Sequence, residues 1–114
     1  MRTIIAGSRD ITDYDLVVKG IEDSHFDIDE IVSGGYRGVD ALGERWAKEN
    51  FVKLTIFNAD WNTYGKAAGP MRNKKMVDYA EALIAFRLGD SRGTNDVIKQ
   101  ANKRGLRVYI IDIQ

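Results

Sequence analysis

The sequence contains no cysteine, which removes disulfides, thiolate metal sites and cysteine nucleophiles together. It contains one histidine, His25, so any metal site would rest almost wholly on carboxylates. It has no surplus of charge, because 17 Lys and Arg balance 17 Asp and Glu. A protein that grips nucleic acid mainly through phosphates usually carries a basic excess, and the balance argues against that partner. No apolar run approaches the length of a membrane span. The run at 3–6 is too short for a signal peptide and soon meets charge at Arg9. The expectation is a cytoplasmic protein with no membrane partner.

What is present describes an ordinary globular chain. Of 114 residues, 44% are hydrophobic and 30% charged, which fits one domain. A chain of this length buries roughly two-thirds of its unfolded surface, enough for a core without staples. Five short apolar runs recur at 3–6, 30–33, 53–57, 82–86 and 107–113. They do not alternate cleanly with polar residues, as expected of strands buried on both faces.

Segments of helical spacing separate the runs. Leu16, Val17 and Ile21 share a face in 13–24, with Thr12 or Asp13 as cap. Leu42, Trp46 and Ala47 do so in 39–50, which makes Trp46 a core residue. Met76, Val77 and Ala80 follow in 69–80, with Pro70 in the first turn. Val97, Ile98 and Ala101 follow in 93–104, with Gly105 as the stop signal. His25 reads as an exposed or capping residue. The segment 58–69 reads as a long connection, and long loops in compact domains are more often functional than not. Strict alternation of strand and helix implies a parallel sheet with right-handed crossovers and helices on both faces. The fold class expected is α/β, a Rossmann-like three-layer sandwich with strand order 3-2-1-4-5.

In an open parallel sheet, ligands bind beyond the carboxyl ends of the strands, and most glycines fall there. The first strand is followed by Gly7, Ser8, Arg9 and Asp10. The second is followed by Gly34, Gly35, Tyr36, Arg37, Gly38 and Asp40, with Ser33 at its end. The third leads into Asp60, Trp61, Tyr64, Gly65, Lys66, Gly69, Pro70, Arg72 and Asn73. The fourth leads into Gly89, Asp90, Ser91, Arg92, Gly93 and Thr94. Glycine lets backbone N–H groups approach a ligand, and the helix that follows adds unpaired donors and partial positive charge. Each loop also brings one arginine, Arg9, Arg37, Arg72 or Arg92, whose fork matches phosphate. A neutral protein thus presents a locally basic cleft.

The second loop is a near miss of G-x-G-x-x-G, with Ser33 in the first glycine's place and Asp60 where a ribose-binding acid would sit. Gly65-Lys66-Ala67 is not a Walker A site, since the Ser/Thr and the upstream glycine are missing. Trp61 and Tyr64 offer rings for stacking on a base, or for packing over a helix end. Asp10, Asp40, Asp60, Asp90 and Asp96 read as partners of the arginines or as helix N-terminal acids rather than as a metal site. No cofactor or metal is expected.

These stretches together resemble the YspA-like branch of the SLOG superfamily, Rossmann-like domains related to DprA (Smf) and to the LOG phosphoribohydrolases. The matching segments are Gly7-Ser8-Arg9, Ser33-Gly34-Gly35 with Arg37-Gly38-Val39-Asp40, Ala59-Asp60-Trp61 through Tyr64-Gly65-Lys66, Ala68-Gly69-Pro70-Met71-Arg72-Asn73, and Ser91-Arg92-Gly93-Thr94. Tyr36 replaces a small residue, and Arg87-Leu88 replaces the usual aromatic or proline. The resemblance implies binding of nucleotides or nucleotide-derived ligands, including ADP-ribose-like molecules, and a homo-oligomer. In LOG enzymes the loop P-G-G-x-G-T-x-x-E supplies a glutamate that helps cleave the base from the ribose phosphate. Val97 stands in its place here, and Asp96 falls one position early. The arginine and methionine of the R-K-x-x-M pattern have counterparts in Arg72 and Met76.

The expected function is a sensor or sequestering module for a phosphorylated nucleotide or a derivative of one. The first alternative is an N-glycosidic hydrolase, with Arg72 and Arg92 on the phosphate and Asp96, Asp10 or Asp40 assisting departure of the base. The second is single-stranded DNA binding, as in DprA, with nucleic acid disfavoured by the charge balance.

Overall fold

A computed structural model describes residues 1–113. The chain forms β1 (Arg2–Gly7), α1 (Tyr14–Ser24), β2 (Glu30–Ser33), α2 (Val39–Glu49), β3 (Lys53–Ile56), α3 (Trp61–Tyr64), a 3-10 turn (Gly65–Ala67), α4 (Ala68–Tyr79), β4 (Ala82–Leu88), α5 (Arg92–Arg104) and β5 (Arg107–Ile113). The five strands make one parallel sheet, as the alternation of runs implies, in the order β3-β2-β1-β4-β5 expected of the Rossmann-like class. The order reverses at β1, which pairs with β2 on one side and β4 on the other. That switch point opens a crevice at the strand ends.

Successive strand residues face opposite sides, and two cores result. Ile5, Ile31, Ile84 and Phe86 pack with Val17, Ile21, Val39 and Ala47 of α1 and α2. Ile4, Ala6, Val32, Leu83 and Ala85 pack with Met76, Val77, Val97, Ile98 and Ala101 of α4 and α5. Trp46 leans on the first core. Full burial on both faces holds for the central strands only. The edge strands β3 and β5 are half-exposed, because each has a neighbour on one side alone.

Three local outcomes follow from capping and pairing. The Asp13 carboxylate accepts the Leu16 N–H at 3.4 Å and starts α1, and His25, at φ 57°, ends it as the cap. β4 runs to Leu88, two residues past the apolar run, because β5 pairs with it as far as Leu88 and Ile113. The segment 58–69 is mostly helical, not an open loop. Asp60 accepts the Thr63 N–H at 3.2 Å and caps α3, which passes through the 3-10 turn into α4. Pro70 sits in the first turn of α4, where its missing N–H breaks no helical bond. Among the described residues no helix is long and apolar enough to cross a membrane.

Candidate functional site

Two adjoining cavities lie at the carboxyl ends of β1 and β4. The first, of about 180 Å³, has Ala6, Met76 and Val97 as apolar wall, Asp40, Arg72 and Asn73 as polar wall, and Tyr36, Arg37 and Trp61 at its side. The second, of about 500 Å³, lies over the start of α5 between Ser8, Asp10, Leu88, Asp90, Ser91 and Arg92. Gly7, Arg9, Gly93 and Thr94 border both, so the two form one groove. Its size falls in the range of small-molecule sites, roughly 300–1,000 Å³.

Twelve of the residues expected at the site line this groove: Gly7, Ser8, Arg9, Arg37, Asp40, Trp61, Arg72, Asn73, Ser91, Arg92, Gly93 and Thr94. Others shape it from behind. Ser33 is buried, donates to Glu44 Oε2 at 2.7 Å and accepts the Gly35 N–H at 3.1 Å. Gly34 lies against the Arg72 guanidinium, and its carbonyl accepts from Arg72 Nη1 at 2.5 Å. Gly38 takes φ 75° and touches the Arg9 backbone, so a Cβ there would come within 2.5 Å of it. Gly69 lies beneath the Trp61 ring. Asp60, Tyr64, Gly65, Lys66 and Pro70 line neither cavity; Asp60 is spent as a helix cap.

The arginines on this edge share it with Asp10, Asp40 and Asp90 but form no direct ion pair among the described residues. The chain has nine arginines, and Arg2, Arg45, Arg87 and Arg104 each lie within 4 Å of a carboxylate. Among the described residues the other five have no such partner, and four of them are Arg9, Arg37, Arg72 and Arg92. Arg72 is partly buried. Its Nε donates to Asn73 Oδ1 at 2.9 Å and its Nη1 to Gly34, which leaves three of five N–H groups for a ligand. Burial pulls its pKa below the ordinary arginine value, against the fields of Asp40 and Asp96.

Helix ends add donors. The first α5 amide to bond back is Asn95, to Ser91 O at 2.8 Å, so the N–H groups of Arg92, Gly93 and Thr94 have no partner within the helix. The Ser91 hydroxyl does not cap them; it pairs with Thr94 Oγ1 at 2.8 Å. By contrast α1 and α3 are both capped by aspartate.

Two acids diverge in their surroundings. Asp40 is buried in the wall of the first cavity, and one of its oxygens accepts the Tyr36 N–H at 3.2 Å. Burial pushes its pKa up to about 6, against the lowering pull of the Tyr36 amide and of Arg72, and Glu44 adds a smaller push upward. Asp96 lines neither cavity of the groove. It borders a separate recess between the outer faces of α4 and α5, while Val97 faces the first cavity. Asp10 and Asp90 line the second cavity, and among the described residues no three carboxylate or histidine groups share a metal-sized space.

The sequence reading gave no role to Gln100, whose Nε2 reaches Asp96 at 2.8 Å and Pro70 O at 3.1 Å. The signal was its position four after Asp96 on one helix face. Tyr36 and Leu88, the departures from the expected pattern, do stand in the groove walls. Arg87 turns away, held bidentately by Asp112 at 2.6 and 3.0 Å and bonded to Asn95 at 3.1 Å.

Comparison with known proteins agrees with this fold. Residues 1–64, from β1 to α3, match the model of the YspA, cpYpsA-related SLOG family. The Gene 61 protein of Mycobacterium phage D29 is 37% identical, over 94% of this chain and 93% of its own length. Among solved structures, DNA processing protein A (DprA) from Streptococcus pneumoniae superposes with a TM-score of 0.53 at 16% identity. The match covers 94% of this chain and 57% of that one, so the chain spans little more than half of it, and the likeness is one of fold. The sequence match over more than half the chain and the length-wide identity carry the assignment: the chain belongs to the YspA, cpYpsA-related SLOG family.

Proposed function

We propose that the groove binds a phosphorylated nucleotide or nucleotide-derived ligand, and that the protein acts as its sensor or sequestering module. One observation carries this reading: among the described residues, four of the five arginines without a carboxylate partner stand on the strand-end edge. Unspent guanidinium groups around open helix amides suit phosphate oxygens. Trp61 and Tyr36 at the side of the first cavity supply ring faces for a base.

The test is incubation of purified protein with nucleoside monophosphates, NAD⁺, ADP-ribose and cyclic ADP-ribose isomers, followed by mass spectrometry of the bound and free fractions. Intact ligand recovered from the wild type, and lost from Arg72→Ala and Arg92→Ala, supports a binding module. No ligand bound across the panel overturns it.

Asp40 favours a second reading, N-glycosidic hydrolysis. It brings a carboxyl whose pKa is raised to about 6 into the same cavity as Arg72. In that reaction Asp40 gives its proton to the departing base as the C1′–N bond breaks, and water adds at C1′ and returns a proton to the carboxylate. Positioned acid–base help is worth roughly 10²–10⁴-fold. Free base accumulating with wild type but not with Asp40→Asn would select this reading. Asp96, turned out of the groove, is the weaker candidate for the acid.

The fold neighbour's name refers to DNA, and the clustered arginines weaken the objection from zero net charge. A short single-stranded oligonucleotide therefore belongs in the panel. Affinity that falls steeply with salt would favour it. A homo-oligomer is part of the same proposal, tested by light scattering with and without ligand.

A further inference from the structure

We infer that Asp96 is a positioning residue, which fixes the Arg72 guanidinium through Asn73 without neutralising it. The inference rests on Arg72 being a ligand-binding group. Asn73 is buried between the two. Its Oδ1 accepts the Arg72 Nε–H at 2.9 Å, and its Nδ2 donates to Asp96 Oδ2 at 2.9 Å and to the Gly93 carbonyl at 3.4 Å. Asp96 in turn accepts from Gln100 Nε2, which also reaches the Pro70 carbonyl in the first turn of α4. The path is continuous from α5 to α4 and into the first cavity.

The chemistry of each link sets the direction of the next. A carboxylate only accepts, so the Asn73 amide must present its NH₂ to Asp96. The amide oxygen then has to face the other way, toward Arg72. Without Asp96 that orientation loses its charge-assisted bond, which is the stronger kind. A flipped Asn73 would set its NH₂ against the guanidinium, donor against donor. With Asp96 in place, Nε and Nη1 of Arg72 are held, by Asn73 and by Gly34.

The interposed amide explains why an acid can serve here without spoiling the site. No carboxylate lies within 4 Å of Arg72 among the described residues. A direct Asp–Arg pair would occupy the fork that a phosphate needs. A neutral amide transmits orientation and leaves the charge for the ligand. Asp96 thus has a role at the site although its side chain is turned out of the groove.

The test uses AMP and inorganic phosphate as probes in calorimetry, with wild type, Asp96→Ala and Asp96→Asn, each also in an Arg72→Ala background. The Arg72 Nε–H signal is followed by ¹⁵N NMR without ligand. Asp96→Ala is expected to weaken binding about tenfold when Arg72 is present and not at all when it is absent, since one well-made hydrogen bond is worth about that factor. Asp96→Asn keeps an acceptor and should bind within about twofold of wild type. The Nε–H signal should be protected from solvent exchange in wild type and lose that protection in Asp96→Ala. Equal weakening in both backgrounds, or an unchanged Nε–H signal, overturns the inference. Should Asp96→Ala not fold, Asp96→Ser carries the same comparison. Should wild type bind neither probe, the Nε–H signal alone decides the positioning role, and the wider ligand panel decides the ligand reading.

Discussion

Asp40 and Arg72 meet at Gly34 without touching each other. A Cβ built on Gly34 would lie 2.5 Å from Arg72 Nη1 and 2.8 Å from Asp40 Oδ2, yet no nitrogen of Arg72 comes within 4 Å of an Asp40 oxygen. The glycine is a spacer that lets cation and acid share a cavity wall without forming a closed pair. Gly34→Ala should therefore displace the guanidinium. A methyl closer than 3 Å to a part-buried group forces it to move. Ligand affinity is expected to fall at least tenfold, with a loss of stability of about 1–3 kcal/mol. Titration calorimetry and urea unfolding of the same variant separate the two effects.

The same carboxyl makes stability depend on pH. Its folded pKa, about 6, lies above the ordinary aspartate value of 3.8. Between those values the native protein keeps a proton that the unfolded chain has lost, so stability falls as pH rises through that window and is lowest above it. At about 1.36 kcal/mol per pH unit the penalty from this group is on the order of 3 kcal/mol. Asp40→Asn, whose amide oxygen can still accept from Tyr36, should gain stability at pH 8 and none at pH 4. Sulfate does not titrate in this range, so its affinity reads the site alone. It should weaken as pH rises through 6 in wild type and stay level in Asp40→Asn.

The parallel sheet and the basic edge were legible because both are written locally. Alternating runs give the parallel sheet, and each strand-end loop carries its own glycine and arginine, whereas the strand order came with the Rossmann-like class, since the same alternation also suits the order 2-1-3-4-5. The segment 58–69 was misread because Gly65 and Gly69 look like breakers. The missed signal was Asp60 three residues before Thr63, a helix start. Asp96 was harder. Spacing gives its phase on α5, about 100° from Val97, but which side faces the groove depends on Asn73 arriving from α4. The state of Asp40 was not legible at all. It arises from burial that exists only once the strand-end loops pack together.

Two glycines of the site are expected to respond in opposite ways. Gly38 stands at φ 75° and ψ −131°, a region closed to other residues, with the Arg9 backbone 2.5 Å from where a Cβ would be. Gly38→Ala should cost about 3 kcal/mol or more, from backbone strain and overlap together. Gly93 has no atom within 4 Å of its Cβ position and sits in the first turn of α5, facing both cavities. Gly93→Ala should leave the melting temperature unchanged or slightly higher, since alanine is the better helix former. It should nonetheless weaken ligand binding, because the new methyl occupies space where a phosphate would approach the open amides. Thermal melts beside calorimetry check both variants. Equal affinity in Gly93→Ala would move the anion away from the start of α5.

The two tryptophans give an optical test of where the base lies. Trp61 is half-exposed at the side of the first cavity, with its ring over Gly69, whereas Trp46 packs on the opposite face of the sheet. A base stacked on Trp61 should quench its emission, and base–aromatic stacking is worth about 1–3 kcal/mol. Wild type and Trp46→Phe should lose fluorescence on titration with AMP and Trp61→Phe should not, while Trp61→Ala, which removes the ring, should reduce affinity about tenfold. Ribose 5-phosphate, which lacks a base, should bind the arginines without quenching. Quenching by ribose 5-phosphate would mean that Trp61 reports movement of α3 and α4. Quenching that survives in Trp61→Phe would place the base away from the first cavity.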